Sequence, residues 1–291
     1  MIDSYIENVS HISSEQHMTD RLLIIDANLY ASRLYYDLCK ETSITDISTV
    51  EEIIRERIIK VIRRHHASHV VCAYDISRSD YRTAIYPAYK RNRKPNKERE
   101  MFITFFRTVL GEMGICNLAI KGVEADDVIA TIIANRERWF GYNIDTIVDS
   151  SDKDFRQLVS PTCQLFVREK KWHYTYPTFV NYYGFEPNRF PLFLALFGDM
   201  GDGITPVLIK EPLESKLDHL AGIFKPVSRC ANVQEMLDWC WDHYADDEIC
   251  RNVIHRAHKL ERNYLLATLL TDVDLGDISA DRMSVNEIRA E

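Results

Sequence analysis

The sequence predicts an α/β fold, a mostly parallel central sheet flanked by helices, with a helical part at the C-terminal end. Three observations lead there. Short apolar runs of strand length alternate with longer stretches of helical periodicity. Two of the early runs stop at an acid, residues 22–25 at Asp26 and residues 69–74 at Asp75. Beyond Ile204 the alternation ends and helical patterns take over. With 291 residues, 46% of them hydrophobic, the chain can fill one large domain or a domain plus a smaller one.

Residues 1–20 are polar and acidic, lack a signal-peptide core, and read as an extension ahead of the fold. Residues 22–25 read as a buried parallel strand. A helical pattern over 28–40 follows. A second helix over 50–66 is Glu-rich first and Arg-rich last, as the helix dipole prefers. Residues 69–74 are the next strand, which completes a β-α-β unit and implies a parallel sheet. Residues 76–99 break the rhythm. This stretch carries eight basic residues (Arg78, Arg82, Lys90, Arg91, Arg93, Lys94, Lys97, Arg99) against Asp80 and Glu98, with Tyr81, Tyr86 and Tyr89 interleaved. A solvated loop accounts for the charge. A phosphate backbone with stacked bases accounts for the charge and the aromatics together.

Helix 101–113, strand 116–120, helix 124–139 and strand 145–148 come next. Runs 164–168 and 172–175 read as a hairpin, and 191–197 as an apolar helix leading into Gly198-Asp-Met-Gly-Asp-Gly203. Helices over 233–244 and 250–270 are the clearest of the remainder, and the tail after Asp272 reads as loosely held. No apolar run reaches membrane-spanning length. Seven cysteines without a Cys-x-x-Cys pair suggest reduced thiols in a cytosolic setting, and no cysteine pair joins His255 and His258 in a zinc pattern. A net charge of −8 argues mildly against nucleic acid as partner, although local distribution decides binding.

The acids carry the chemistry. Glu124, Asp126 and Asp127 fall in the first turn of a helix, with Glu124 and Asp127 on one face. Alone they could simply complement the helix dipole. But Asp26 and Asp75 end strands, Asp152 and Asp154 follow one, and Asp199 and Asp202 sit in a Gly-flanked turn. The carboxyl ends of parallel strands line the ligand crevice of an open α/β sheet, so nine carboxylates are expected at one edge. Unpaired carboxylates ~4 Å apart repel by about 4 kcal/mol per pair at an effective dielectric near 20. Magnesium relieves this best, because it keeps several waters and needs few carboxylates. Two such ions can activate water and stabilise the leaving oxygen in phosphodiester hydrolysis.

Leu-Ile-Ile-Asp26, Tyr-Asp75, Tyr-Arg82, Tyr86-Pro-Ala-Tyr89-Lys90-Arg-Asn-Arg93, Gly122-Val-Glu-Ala-Asp-Asp127, Ser-Ser-Asp152-Lys-Asp154 and Gly198-Asp-Met-Gly-Asp202 occur in that order. In these stretches, over roughly residues 21–205, the chain resembles the phage and bacterial 5′ nucleases. These comprise the phage flap endonucleases, the 5′ nuclease domain of bacterial DNA polymerase I and the phage RNase H enzymes. The resemblance implies a PIN-like 5′ nuclease core over 21–203 with a basic arch over 76–99, and a mainly helical DNA-binding subdomain over 204–291. It implies a first metal cluster of Asp26, Asp75, Glu124, Asp126 and Asp127, and a second of Asp152, Asp154, Asp199 and Asp202. Two Mg2+ ions are expected, with Mn2+ able to substitute. Lys90 and Arg93 would lie at the base of the arch over the scissile phosphate as catalytic cations. Tyr89 would stack on a base, and Arg82, Lys94 and Lys97 would bind substrate.

The implied activity is hydrolysis near 5′ ends of DNA or RNA–DNA hybrids, removing primers or flaps in phage DNA replication. The implied protein is a cytoplasmic monomer (in the host cytoplasm if phage-encoded), partnered by DNA, RNA–DNA hybrid and a single-stranded-DNA-binding or other replication protein, and not by a membrane. Two departures stand out. Gly203 takes the place of the usual Asn. Residues 204–212, which contain no glycine, replace a Gly-x-Gly hairpin that grips duplex in the family and that the phage RNase H branch also tends to lose. Duplex grip is therefore expected from residues 78–99 instead. An aspartate-nucleophile phosphohydrolase would need a second aspartate where Asn28 stands, and a non-catalytic binding protein would not need all nine acids.

Overall fold

The computed structural model describes residues 20–40, 46–91, 94–208 and 217–285. Its strands are β1 (Arg21–Asp26), β2 (His69–Tyr74), β3 (Cys116–Ala119), β4 (Asp145–Asp149), β5 (Cys163–Val167) and β6 (Trp172–Tyr174). They form one sheet in the order β3-β2-β1-β4-β5-β6, parallel except for β6, which forms the expected hairpin with β5.

Strand β1 shows why the early apolar run is continuous rather than alternating. Leu22 and Ile24 pack into one core while Leu23 and Ile25 pack into another, and all four are fully buried. Burying each such side chain contributes about 1.5–3 kcal/mol. The second core is closed by α1 (Ala27–Leu38), α2 (Ile47–His65) and α4 (Lys97–Glu112). The first is closed by α5 (Ala125–Phe140), α7 (Phe190–Phe197), α9 (Val233–Asp242) and α11 (Ala257–Ala267).

The chain winds from β1 to β2 to β3, then returns to lay β4 on the other side of β1, with Ile25 beside Asp149. The crevice of an open sheet opens at such a reversal. Asp26 and the segment after β4 flank it, and Asp75 and Glu124 follow the neighbouring strands.

Several local expectations change. The basic segment is partly helical, with α3 (Asp80–Ile85) capped by Ser79 and α4 starting at Lys97, where Asn96 caps it. Its residues 92 and 93 lie outside the described residues. Helix α6 (Tyr176–Tyr183) opens on a Thr175–Thr178 capping box, a start signal in which threonine replaces the usual Glu or Gln. The expected helix 250–270 breaks at Arg256 into α10 (Glu248–His255) and α11. The tail is not loose as far as Val285. Ile278, Met283 and Val285 are buried around α12 (Ala280–Met283), and Val285 N–H donates to Ser68 O at 3.0 Å. The expected N-terminal extension, apart from Asp20, lies outside the described residues, as do residues 209–212 of the altered hairpin. Among the described residues no helix is long and apolar enough to cross a membrane.

Candidate metal centre

Asp26 joins the sheet to the site. One oxygen accepts Leu29 N–H at 3.2 Å and caps α1, and the other accepts Ser150 Oγ–H at 2.8 Å. Burial raises its pKa from 3.8 to about 7 against the hydrogen bond from Ser150, and Asp152 and Asp75 add to the rise. Asp75 accepts Ala125 N–H at 2.6 Å, which ties the end of β2 to the start of α5. Asn28 clamps the Asp75 backbone in both directions at 3.1 Å. The position that a nucleophile-type phosphohydrolase would fill with aspartate is therefore spent on holding another acid.

Glu124 takes the cap position of α5, but its side chain makes no capping hydrogen bond. Lys90 Nζ lies 3.0 Å from Glu124 Oε1 and 3.5 Å from Asp202 Oδ2. The Lys90 backbone is left-handed, φ 49°, an uncommon state for a residue with a Cβ. Asp126 points into the crevice. Its carboxyl is held well above the usual range by burial and by Asp152, against the pull of Lys90, with Asp75 and Asp26 contributing further. Asp152 caps the 3-10 turn Lys153–Leu158, accepting Asp154 N–H at 3.0 Å. Its charge presses on Asp26 and Asp126 on one side and on Asp154 on the other, so it stands between two groups.

The tighter group is Asp154, Asp199 and Asp202, all buried, with one carboxylate oxygen of each within 4.8 Å of the others. Asp154 Oδ1 is buried without a hydrogen-bond partner, and burial with Asp152, Asp202 and Asp199 pushes that carboxyl well up. Asp199 and Asp202 are presented by a turn closed by paired 2.7 Å bonds between the backbones of Asp199 and Ile204. Gly198 permits the turn. Its φ is 79°, and a Cβ there would lie 2.6 Å from Ile204 O and Pro206 N. Lys153 Nζ sits 2.6 Å from Asp199 Oδ2.

Eight of the nine expected acids thus reach one crevice, where Lys90, Lys153 and Arg82 are among the cations that answer them at close range. Desolvation, mutual repulsion and an orphaned carboxylate oxygen are what a site for hard, oxygen-liking cations requires, so the residues fit divalent metal. Beside Asp75 and Glu124 an open cleft of about 660 Å³ is lined by Arg78, Lys90, Lys94, Arg99 and Arg107.

Three expected roles do not match the geometry. Asp127 is fully buried and faces away from the crevice, its oxygens 2.5 and 2.8 Å from the Arg82 guanidinium, so it is not placed to hold a metal. Arg82 is 1% exposed and cannot touch substrate from there. Tyr89 is 5% exposed, its hydroxyl 3.2 Å from Glu124 Oε2 and 3.3 Å from Asp202 Oδ2, which leaves no free ring face for a base. Lys94 and Lys97 are exposed, Lys94 on the cleft and Lys97 at the start of α4. Arg93 lies outside the described residues. Asp149, although it ends β4, pairs with Arg168 at 2.5 Å on the opposite face. Sequence reasoning missed Ser150, Asn28 and Lys153. Ser150 and Lys153 lie in the motif Ser-Ser-Asp152-Lys-Asp154 and Asn28 lies two residues after Asp26, but nothing local says what each side chain would hold.

The chain matches the sequence model for the 5'-3' exonuclease, N-terminal resolvase-like domain, over residues 21–184. It is 32% identical over 204 residues to DNA polymerase I of Mycobacterium bovis, covering 67% of this chain and 22% of that protein. The chain thus spans about a fifth of the length of the DNA polymerase I relatives it matches. It is 29% identical over 218 residues to the flap endonuclease Xni of Shewanella denitrificans, covering 75% of this chain and 82% of that one. The fold is shared with the T5 5′-exonuclease, seen with divalent metal ions (zinc) bound. The TM-score is 0.66 at 19% identity, over 85% of this chain and 89% of the other. By the extent of the sequence match, the chain belongs to the 5′-3′ exonuclease family.

Proposed function

We propose that the protein is a divalent-cation-dependent 5′ nuclease that hydrolyses phosphodiester bonds near 5′ ends. The observation that carries this reading is the crevice of eight acids opening beside a cleft lined by basic residues. Asp154, Asp199 and Asp202 would hold one ion, and Asp26, Asp75 and Asp126 the other, with Asp152 between them and Glu124 alongside. Bound ions would supply Lewis-acid polarisation of the phosphate and activation of water.

The chain's own side chains do the rest. Arg78, Lys94, Arg99 and Arg107 draw the substrate backbone into the cleft. Lys90, now facing Glu124 and Asp202, turns its ammonium to a phosphate oxygen and offsets charge developing there. Tyr89 holds Glu124 and Asp202 in place from behind. On the far flank of the 198–207 loop, Arg256 donates to Val207 O at 3.0 Å and Lys259 to Pro206 O at 2.9 Å, and Arg262 lies 4.5 Å from the Tyr86 ring centre. Among the described residues no carboxylate pairs with any of these three cations. They are the proposed contact for duplex phosphates where the glycine hairpin is missing.

The finer assignments belong to the same proposal: Mg2+ as the working ion, DNA and RNA–DNA hybrid as substrates, and primer or flap removal in phage DNA replication by a cytoplasmic monomer. DNA as substrate and a metal requirement are supported by the likeness to the T5 flap endonuclease, seen with DNA and metal ions; the other assignments stand on the family resemblance carried by motifs such as residues 86–93. A Mg2+ titration on 5′-labelled flap, nicked duplex, 5′ overhang and RNA–DNA hybrid tests the reading. Cleavage that appears with Mg2+ and vanishes in EDTA is the expected result; full activity in excess EDTA refutes it.

A further inference from the structure

The last turn of α11 and the segment that follows it run across the catalytic half of the molecule in a way no local sequence feature announces. From Leu266 to Val273 its backbone polar groups are met by side chains from three separate elements. Arg82 of α3 donates to Leu266 O at 3.0 Å and to Thr268 O at 3.3 Å. Gln157, in the 3-10 turn that carries Asp154, donates to Ala267 O at 3.0 Å and accepts Leu269 N–H at 3.1 Å. Helix α5 supplies Asp127, Thr131 and Asn135, spaced four residues apart and so on one face. Asp127 accepts Leu270 N–H at 2.9 Å. Thr131 Oγ1 donates to Leu270 O and accepts Val273 N–H, both at 3.3 Å, and Asn135 donates to Thr271 O at 3.1 Å. The carbonyls of Leu266 and Ala267 lie in the last turn of α11, where a helix leaves them unpaired, and beyond Ala267 no sheet or helix satisfies these groups; buried backbone groups left unpaired are costly.

Arg82 is the knot. The guanidinium that holds the segment also grips Asp127 with two parallel bonds and lies 3.2 Å from Glu124 Oε2. It therefore touches the arch root, the C-terminal segment and an acid of the crevice at once. We infer that residues 266–273 form a strap whose fastening through Arg82, Asp127 and the Thr131–Asn135 face sets the spacing between the α5 acids and the 3-10-turn acids. Arg82 and Asp127 are positioning residues in this scheme. They touch neither metal nor substrate, and act by fixing where Glu124 and Asp126 stand relative to Asp152 and Asp154. The inference rests on the proposed metal site, but it assigns function to a part of the chain beyond the family match, which ends at residue 184.

The test uses the full chain. Arg82→Ala leaves Asp127 buried and unpaired and risks unfolding, so the decisive variant is Thr131→Val combined with Asn135→Ala. This pair removes three strap bonds without altering a charged group. Mn2+ binding is followed by the paramagnetic signal of the free ion, kcat and KM are measured on a 5′ flap, and amide exchange is read at residues 124–128 in metal-free protein. Outer partners of metal ligands typically change affinity or activity about 10–100-fold. The double variant should therefore bind Mn2+ about ten-fold more weakly, lose about ten-fold in kcat with KM little changed, and exchange faster at 124–128. A variant that folds, binds Mn2+ and turns over like wild type overturns the strap. If wild type itself bound no Mn2+, the metal reading would fall, and the strap would be judged by exchange alone: faster exchange at 124–128 supports it and unchanged exchange overturns it.

Discussion

Replacing Asp26 by Asn should stabilise the metal-free protein while removing function. The wild-type carboxyl is buried at the end of β1, and its pKa rises from 3.8 to about 7. A pKa raised by folding means that the folded state holds the proton more tightly. The resulting stability is fully present below 3.8 and is lost as pH climbs through about 7. The whole displacement corresponds to about 4 kcal/mol, of which about 3 kcal/mol falls between about pH 5 and about pH 8. Asparagine keeps the shape and still caps α1, since Asn is as good a cap as Asp. Its amide can also still bond Ser150. Urea unfolding in EDTA should therefore show Asp26→Asn gaining on wild type by about 3 kcal/mol from about pH 5 to about pH 8. Adding Mg2+ at the upper pH should stabilise wild type more than the variant, because only wild type keeps the full ligand set. A difference that stays flat with pH, or a variant less stable than wild type at about pH 8, would refute the claim that this acid is held under charge strain.

Three other outcomes follow from the same geometry. Lys90→Ala should lower kcat by ~10²–10³ and leave KM near normal, since a cation that meets charge mainly in the transition state acts on turnover; a raised KM with normal kcat would make Lys90 a plain phosphate contact. Gly198→Ala should cost about 1–3 kcal/mol for overpacking against Ile204 and Pro206 and about 1–3 more for a glycine-only backbone, read as a lowered Tm together with weaker metal binding. Unchanged stability would mean that the turn re-forms without its glycine. Changing Arg256, Lys259 and Arg262 together to Gln should flatten the slope of log binding constant against log salt by about two to three on duplex DNA, at about 0.9 per phosphate contact; an unchanged slope would leave duplex binding to the cleft and to Lys94 and Lys97.

The sequence by itself determined where each acid sits along its own element. Strand and helix periods are local, so Asp26 and Asp75 at strand ends, Glu124 at a helix start and Asp152 after a strand were all legible, and parallel β-α alternation then puts those ends at one edge. The hairpin of β5 and β6 was legible for the same reason. Which acids face the crevice was not. Asp127 has the same local setting as Asp126, one residue away, yet Arg82, 45 positions earlier, takes its charge completely. Tyr89 and Lys90 were both expected to meet substrate, one stacking on a base and the other over the scissile phosphate. In the folded chain Tyr89 is buried, and Lys90, its backbone left-handed, faces Glu124. The strap is hidden more deeply still, because Arg82 meets Leu266 across 184 residues and donates to a backbone carbonyl, a group that every residue carries. Periodicity reports the face a residue occupies. Only the folded chain decides which distant partner meets its charge, and a carboxylate gripped through both oxygens by a buried guanidinium, as Asp127 is, is turned to its partner rather than to a metal ion.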